Sequence, residues 1–429
     1  MTITLPSLPA GWGRTRVDRV ATVNARIGWK ALTAAEYQPD GYAFLSTPNI
    51  KGRDIDFSNV NYISEFRYEE SPELQLKPGD VLLAKDGNTL GIVNIVRDLP
   101  RPATVNGSIA VIRSTGIDPS YLRYVLASRV TQATINMLKG GMGVPHLFQW
   151  DINRLPIPLP PEEEQRRIAD FLDTETARMD RLRSSLAQFD RAVREREQAV
   201  LAKMLHPGAE KPGDSLRNGW KWTPLTYLTD QFRRIMYGIV LPGPNVTEGV
   251  PIIKGGDVAA NRLSLQTLNR TTREIEAGYA RSRVKGGDIV IAIRGSVGEI
   301  AVVPNELTGA NLTQDTARIS AAPGVSPDWL RLILESPAVV HQIQQRVTGA
   351  TIKGINIWDL KRLLVPTPDS AEQTSLAASA SRVLGTHEAL RSRVARHSAL
   401  LAERRQALIT AAVTGQIDVS TASGRGIEE

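Results

Sequence analysis

Cysteine is absent from this 429-residue chain, and so are long apolar runs. Without thiols the chain has neither disulfides nor thiolate metal sites. Its start, MTITLPSLPAGWGR, lacks the basic-then-apolar order of a secretory signal. No uncharged apolar stretch approaches the roughly 20 residues of a membrane span. We therefore expect a cytoplasmic protein that does not associate with membranes.

Motifs for catalysis are also missing. A methyltransferase would need a Gly-rich cofactor loop and an [ND]PP[YF] segment, and a P-loop ATPase would need GxxxxGK[ST]; none of these occurs. GGMGVPH (140–146) is Gly-rich but has neither the Lys-Ser/Thr pair nor a preceding strand, so it predicts a turn, as does its counterpart TGATIKG. We therefore predict no catalytic residue in this chain.

Histidine and aromatic residues are scarce. Aromatic residues make up 5% of the chain, which argues against stacking platforms for single-stranded nucleic acid. The five histidines show no paired metal spacing and predict no metal site; they are His146, His206, His341, His387 and His397. The last two fall on helix positions where packing or register accounts for them.

What remains is the composition of a globular, basic protein. Hydrophobic residues make up 41% and charged residues 23% of the chain, and its length allows two or three structural units. Lys and Arg number 52 against 45 Asp and Glu, for a net charge of +7. This balance suits a polyanionic partner, although many basic proteins bind none.

The chain contains an internal duplication with a spacing of 208 residues. Identities at this spacing run along the whole chain: Trp12/Trp220, Lys77/Lys285, Asp80/Asp288, Gly87/Gly295, Leu122/Leu330, Trp150/Trp358, Glu164/Glu372, Gln165/Gln373 and Gln406/Gln198. The only interruption is a one-residue slip near Leu90. A fixed period of this kind predicts two copies of one structural unit.

Each copy begins with about 150 residues in which short apolar runs alternate with turns. VLLAKDG, GIVNIV and SIAVIRS in the first copy, and DIVIAIRG and EIAVVP in the second, predict strands. An amphipathic helix pattern follows in both, SYLRYVLASRVTQATINML and PDWLRLILESPAVVHQIQQRV. The fold class is therefore α+β.

A long helix with a heptad pattern is predicted after the prolines that end each copy. The seam residues of the first helix are Ile168, Leu172, Met179, Leu182, Leu186, Phe189, Val193 and Val200. Those of the second are Leu376, Ala380, Val383, His387, Leu390, Val394, His397, Leu401 and Leu408. Glu175, Arg196 and Arg404 interrupt the pattern, either as exposed positions or as polar residues that set register or contact a partner.

The two helices predict an antiparallel coiled coil. Helices of about 44 residues extend for about 65 Å at 1.5 Å per residue, and the apolar seam on each needs a partner to cover it. The linker between the copies, HPGAEKPGDS, reaches at most about 35 Å. The second globular segment must then start near the far end of the first helix, and the second helix must run back. The result is a pseudo-twofold arrangement with domains about 60 Å apart, close to two turns of B-DNA. A plain connection between two modules is the alternative.

The predicted boundaries follow from these patterns. The segments are a first domain (1–160), a spacer helix (161–206), a linker (207–215), a second domain (216–368), a second spacer helix (369–414) and a tail (415–429).

Several segments resemble the specificity subunits of type I restriction-modification systems. They are PLPPEEEQRRIADFLDTETARMDRL, ERRQALITAAVTGQIDV, the GW near each domain start, and the strands KPGDVLLAKDG and KGGDIVIAIRG. The resemblance covers essentially the whole chain. The second half departs from the pattern at PTPDSAEQTSLAASASRVL, where the LPP and the basic residues after EQ are diluted.

The resemblance implies two target recognition domains that each recognise one part of a split double-stranded DNA sequence. It also implies helices that set the gap and dock two modification subunits, which methylate adenine with S-adenosylmethionine. Restriction subunits, which use ATP and Mg, complete such a complex. The chain itself would carry no cofactor and no catalytic activity.

Three sets of loop residues are candidate DNA contacts, because phosphates attract Lys and Arg and base edges need paired donors and acceptors. The first loop contributes Lys85, Asn88, Thr89, Arg294 and Ser296; the second contributes Lys139, Val144, His146, Thr351, Lys353 and Asn356; the third, weaker set is Lys51, Arg53 and Lys254. A solvated surface position is the alternative for each single residue. Asp86 stands opposite Arg294, as expected of domains that recognise different half-sites or of simple loop drift.

Other interpretations remain at this point. Four tryptophans, Trp12, Trp150, Trp220 and Trp358, occupy equivalent positions and predict domain-core or helix-junction packing.

Besides a DNA-specificity subunit, the chain could be a self-contained enzyme acting on DNA, which the missing motifs disfavour, or a scaffold whose domains bind protein.

Overall fold

The computed structural model describes residues 5–25, 32–140, 145–209, 211–259, 262–349 and 353–419. The chain divides into two compact units, residues 1–188 with 394–429 and residues 189–393. Each unit combines one globular domain with parts of two long helices. Within the described ranges, no helix has both the length and the apolar character needed to cross a membrane.

The first unit is built on short strands in three sheets. The strands are β1 (Gly13–Arg16), β2 (Ala21–Asn24), β3 (Tyr42–Leu45), β4 (Asn61–Ile63), β5 (Val81–Ala84), β6 (Val93–Ile95), β7 (Ala103–Val105), β8 (Ile109–Ser114) and β9 (Pro156–Leu159). They form a two-stranded sheet β1-β9, a four-stranded sheet β2-β8-β5-β6 and a three-stranded sheet β4-β3-β7. The helices are α1 (Val17–Val20), α2 (Glu65–Glu69), α3 (Pro119–Ala127), α4 (Arg129–Leu138), α5 (Gln149–Asn153) and the long α6 (Glu162–Leu205).

The second unit repeats this plan. Its strands are β10 (Lys221–Pro224), β11 (Met236–Tyr237), β12 (Val250–Ile253), β13 (Arg270–Thr271), β14 (Ile289–Ala292), β15 (Ile300–Val302), β16 (Asn311–Leu312), β17 (Thr316–Ile319) and β18 (Leu364–Thr367). The sheets are β10-β18, β11-β17-β14-β15 and β13-β12-β16. The helices are α7 (Arg273–Ala277), α8 (Pro327–Leu334), α9 (Pro337–Arg346), α10 (Ile357–Lys361) and the long α11 (Ser370–Val413).

Strand registers confirm the duplication and refine its spacing. Gly13 pairs with Leu159 in the first unit, and Lys221 pairs with Thr367 in the second, 208 residues on. The pairs Val81–Ile112 and Ile289–Ile319 show that the spacing is 207 residues at β8. The helix caps Asp118 and Ser326 restore 208. The slip near Leu90 is therefore compensated by a second one before α3.

The long helices pack together in an antiparallel sense, which confirms the predicted fold class. In the first unit the start of α6 and the end of α11 share one core, with Leu172 and Ala412 both fully buried. In the second unit the end of α6 and the start of α11 do so, through Leu205 and Ala380. Each long helix thus contributes to both domain cores.

Burial of the predicted seam is uneven. Ile168, Leu172, Met179 and Val193 are buried, whereas Leu182 and Phe189 are each 48% exposed. Ala380 is fully buried and His397 is exposed. The remaining predicted seam residues apart from His387 are partly buried: Leu186, Val200, Leu376, Val383, Leu390, Val394, Leu401 and Leu408. His387 is buried with Nδ1 3.5 Å from a carboxylate oxygen of Glu197. The tightest burial lies where the helices meet the domains.

Two residues at each helix start explain the EQ motif. Glu164 accepts a hydrogen bond from Trp12 Nε1 at 3.1 Å, and Glu372 accepts one from Trp220 Nε1 at 3.0 Å. These bonds place Trp12 and Trp220 at the helix junction, as the sequence predicted. The second copy keeps this tryptophan–glutamate hydrogen bond although the prolines and basic residues around it differ from those of the first copy.

The neighbouring glutamines join the start of each long helix to the cap residue of α3 or α8 by hydrogen bonds. Gln165 accepts from the backbone N–H of Asp118 at 2.8 Å and donates to the carbonyl of Pro160 at 2.9 Å. Gln373 makes the equivalent bonds to Ser326 and Pro368, at 3.1 Å each. Both glutamines are buried, so each bond satisfies a group that water cannot reach.

Replacement of Leu172 by Ala should destabilise the first unit strongly, because this side chain is fully buried in the shared core. We expect a loss of about 2–5 kcal/mol in the free energy of unfolding, from urea unfolding followed by circular dichroism. Leu182→Ala, on the same helix but 48% exposed, is the matched control and should cost less than about 1 kcal/mol. Equal losses in the two variants would contradict the observed burial.

Candidate nucleic-acid interface

In the first domain, backbone hydrogen bonds join two of the loops predicted to contact DNA. The N–H of Gly87 donates to the carbonyl of Pro145 at 2.9 Å, and the N–H of Leu147 donates to the carbonyl of Lys85 at 2.9 Å. Gly140 and His146 exchange two further bonds, both 2.9 Å, which close the second loop at its base. Loops that are distant in the sequence thus form one surface.

The second domain repeats the same pattern of bonds. The N–H of Gly295 donates to Lys353 at 3.1 Å, and the N–H of Ile355 donates to Ile293 at 2.9 Å. Thr348 and Gly354 close the second loop at 2.9 and 2.8 Å. We call this arrangement the loop pair, which is residues 85–89 with 139–140 and 145–147 in the first domain, and 293–297 with 347–349 and 353–355 in the second.

A glycine turns each first loop. Gly87 has φ +68° and Gly295 has φ +75°, in the left-handed region that other residues adopt at a cost. A Cβ at either position would meet no atom within 4 Å. Glycine is therefore favoured by the backbone conformation and not by crowding, since open space surrounds the loop tip.

The side chains on these equivalent backbones differ. In the first domain Asp86 contacts Nδ1 of His146 and accepts from Lys85 Nζ at 3.2 Å. Lys85 is only 7% exposed, so its ammonium group is held inside this cluster. In the second domain Arg294 replaces Asp86 and Gly354 replaces His146, and the Arg294 side chain is exposed. It donates to Gln314 Oε1 at 3.1 Å.

The other predicted loop residues line the same two surfaces. Asn88, Lys139, Ser296 and Lys353 are exposed, and Thr89 is partly buried with its hydroxyl bonded to the carbonyl of Asp86 at 3.2 Å. Lys139 donates to Asn136 at 3.3 Å. Asn356 caps α10 by accepting from the N–H of Asp359 at 2.8 Å. Val144 and Thr351 lie outside the described residues.

The third predicted set divides between the domains. Lys254 caps a short 3-10 helix (Gly255–Asp257), and the carbonyl of Gly255 accepts from Ser296 Oγ at 3.3 Å. Lys254 therefore lies beside the second loop pair. The equivalent cap in the first domain is Ser46, not a basic residue. Lys51 and Arg53 are exposed and follow the short helix that Ser46 caps, so neither occupies the cap position that Lys254 has in the second domain.

Two of the four equivalent tryptophans are exposed, so the prediction that all four pack in the core or at a helix junction is wrong. Trp150 is 57% exposed and Trp358 is 61% exposed, because each sits on the outer side of the one-turn helix that follows its loop pair. Phe148 stacks edge-on between His146 and Trp150, with ring centroids 4.5 and 5.5 Å apart. Arg362 lies over Trp358 at 3.3 Å.

These exposed aromatic rings extend the surface of each loop pair and were missed by sequence reasoning. The available signal was their position directly after the second loop. Among the described residues, no group of three or more His, Asp and Glu side chains is arranged to hold a metal ion.

Comparisons with known proteins point to one family. The family model for the type I restriction modification DNA specificity domain matches residues 9–185. The type I restriction enzyme EcoBI specificity subunit of Escherichia coli is 25% identical over 431 aligned residues, covering 96% of this chain and 88% of that protein. The chain is therefore similar to type I restriction-modification specificity (HsdS) subunits along nearly its whole length.

Solved structures show the same fold. The HsdS subunit from Thermoanaerobacter tengcongensis is 21% identical and aligns with a TM-score of 0.53, covering 97% of this chain and 100% of that one. A chain from a structure of the assembly and conformational transition of the type I restriction-modification system gives a TM-score of 0.71 at 20% identity, covering 96% of this chain and 100% of that one.

Replacement of Gly87 or Gly295 by Ala should strain the loop pair without creating a clash. We expect each variant to lose about 1–2 kcal/mol of stability, the cost of a left-handed conformation for a residue with a Cβ. Gly107→Ala is the matched control, because its Cβ would also meet no atom and its φ is not positive. Urea unfolding of the three variants measures this, and a loss at Gly107 as large as at Gly87 would contradict the explanation.

Proposed function

We propose that this chain binds double-stranded DNA and that each domain recognises one half of a bipartite target. The observation that carries the proposal is the loop pair, one hydrogen-bonded backbone in both domains with different side chains on it. A constant backbone presents both loops in the same way, and the variable side chains offer different donors and acceptors to base edges. Two domains of this kind suit a target whose halves differ.

The charges on the two loop pairs support this division. In the first domain, Asp86 partly neutralises Lys85 and can accept from a base amino group only if it leaves His146. In the second, the exposed guanidinium of Arg294 can donate two bonds to guanine O6 and N7, the commonest specific contact in the major groove. Exposed Lys139 and Lys353 lie nearby and can contact phosphates.

The helices take two roles in this proposal. They set the gap between the half-sites by their length, as an antiparallel pseudo-twofold pair, and they dock two modification subunits. Those subunits bind S-adenosylmethionine and methylate adenine, and restriction subunits bring ATP and Mg. The chain itself supplies sequence recognition in a cytoplasmic complex. The relatives support this, since they are named specificity subunits of type I restriction enzymes.

Arg294→Gln should relax base preference in one half-site only. Loss of a bidentate guanine contact costs about 1–3 kcal/mol of discrimination. The measurement is selection of duplexes from a randomised library by the chain assembled with its modification subunits. Arg382→Gln, an exposed arginine on α11, is the control and should leave both half-sites unchanged.

Two results would count against the proposal, one from that selection and one from a salt titration of duplex affinity. Changes in both half-sites would show that the domains do not recognise them separately. A wild-type chain whose duplex affinity does not fall as salt rises would favour the protein-binding scaffold, because DNA binding through phosphates releases counterions.

Insertion of one heptad into each long helix should lengthen the gap in the target. Seven residues add about 10 Å of helix, which corresponds to about three base pairs at 3.4 Å each. The same library selection measures the gap. Altered half-sites, or an unchanged gap in a folded variant, would mean that the helices do not act as a spacer.

A further inference from the structure

A second basic surface lies on the globular domain of the second unit. Two adjoining cavities of about 600 and 700 Å³ share Arg283, Thr308 and Gly309 in their walls. Six cationic side chains line the larger cavity, and no Asp or Glu is among its described lining residues. We call this surface the arginine groove: Arg233, Arg234, Arg281, Arg283, Lys285 and Arg318.

Carboxylates behind the groove neutralise only part of its charge. Arg233 forms an ion pair with Asp288 at 2.6 Å, and Arg283 forms one with Glu276 at 2.6 Å. Arg234, Arg281 and Lys285 are exposed, and none forms an ion pair with a described residue. The groove therefore presents an excess of positive charge to solvent.

Arg318 is the buried member of the arginine groove. It is 2% exposed; its Nη1 donates to the carbonyls of Arg281 and Arg283 at 2.8 and 2.6 Å, and its Nη2 donates to that of Arg234 at 3.4 Å. Its Nε has no hydrogen-bond partner. Burial and the neighbouring Arg233 lower the pKa of Arg318, while Asp288 and Asp230 act in the opposite direction, and a guanidinium stays protonated in proteins. No described carboxylate forms a direct ion pair with Arg318, so its charge adds to that of the other cations around the cavity.

The arginine groove is separate from the loop pair of the same domain. Lys285 precedes β14 (Ile289–Ala292), and Arg294 follows it. Four residues of strand extend for about 13 Å, so the two basic surfaces lie at opposite ends of this strand. They cannot contact the same phosphate, but both can contact one duplex, whose backbone phosphates recur along each strand.

The first domain retains only part of the groove. Glu73 and Gln75 stand at the positions equivalent to Arg281 and Arg283, and Val111 stands at that of Arg318. Lys77 matches Lys285, and Arg26 matches Arg234 at the 208-residue spacing. Arg113 forms an ion pair with Asp80, as Arg233 does with the equivalent Asp288. Since the first domain folds with the same sheets, the fold does not require Arg281, Arg283 and Arg318, and their clustering needs another explanation.

We infer that the arginine groove binds phosphodiester groups of the DNA backbone beside the half-site contacted by the second loop pair. Guanidinium groups bind phosphate oxygens with paired hydrogen bonds, and several cations along one groove match successive phosphates better than a single small anion. The inference rests on the proposed function. It adds a contact that is independent of base sequence and present in one domain only.

The test is the salt dependence of duplex binding by the full chain with Arg281→Gln and Lys285→Gln combined. Both side chains are exposed, and neither side chain holds a described hydrogen bond, so the variant should fold with the wild-type melting temperature. Each lost phosphate contact should reduce the slope of log affinity against log salt by about 0.9. We expect a reduction of about 2 in the slope, with base preferences unchanged. Lys77→Gln, at the equivalent position of the first domain, is the matched control and should leave the slope unchanged.

Other outcomes overturn the inference without touching the proposed function. If Arg294→Gln weakens binding while the groove variant keeps the wild-type slope, the groove does not contact DNA. The same holds if the groove variant loses only assembly with the modification subunit, or if titration with inorganic phosphate shows a site that the variant lacks while duplex binding is unaltered. If neither variant changes duplex binding, the proposed function itself fails.

Discussion

Each domain is fixed to its long helix by a glutamate and a glutamine in the first helical turn, and the rest of the structure depends on this tie. The glutamate accepts from a tryptophan near the start of the domain, and the buried glutamine bridges the helix start to the cap of α3 or α8. The bonds therefore fix each domain to the first turn of its own long helix. This role accounts for the EQ pair recurring in both copies although the residues around it differ.

The duplication has preserved backbone geometry more strictly than surface chemistry. Hydrogen bonds of the loop pair recur at nearly equal lengths in both domains, whereas the side chains at three positions differ in charge or size: Asp86 and Arg294, His146 and Gly354, Phe148 and Asn356. Backbone bonds do not depend on side-chain identity, so residues can change on this support without loss of the loop conformation. That combination supports the proposal that the two domains recognise different half-sites.

Periodicity and repetition predicted the fold well because both are properties of the backbone. The heptads predicted the long helices, and the 208-residue spacing predicted equivalent domains. Burial of individual side chains was harder. The sequence predicts Lys85 as a DNA contact in a loop, yet it turns inward to Asp86 and is 7% exposed. The sequence predicts packing positions for Trp150 and Trp358, yet they stand on the outer side of single-turn helices whose orientation depends on tertiary contacts.

The arginine groove could not be predicted for a different physical reason. Its members are spread over residues 233–318, on β17 and on the segments that precede β11 and β14, and they come together only when these three strands pair in one sheet. Sequence showed an excess of basic residues but not their convergence. The position of that convergence matters for the mechanism: if both loop pairs recognise bases, an additional backbone contact in one domain makes the two halves unequal in affinity. Under the proposed function such a domain would hold DNA longer in each encounter, and the other domain would then test its half-site on a duplex that is already bound.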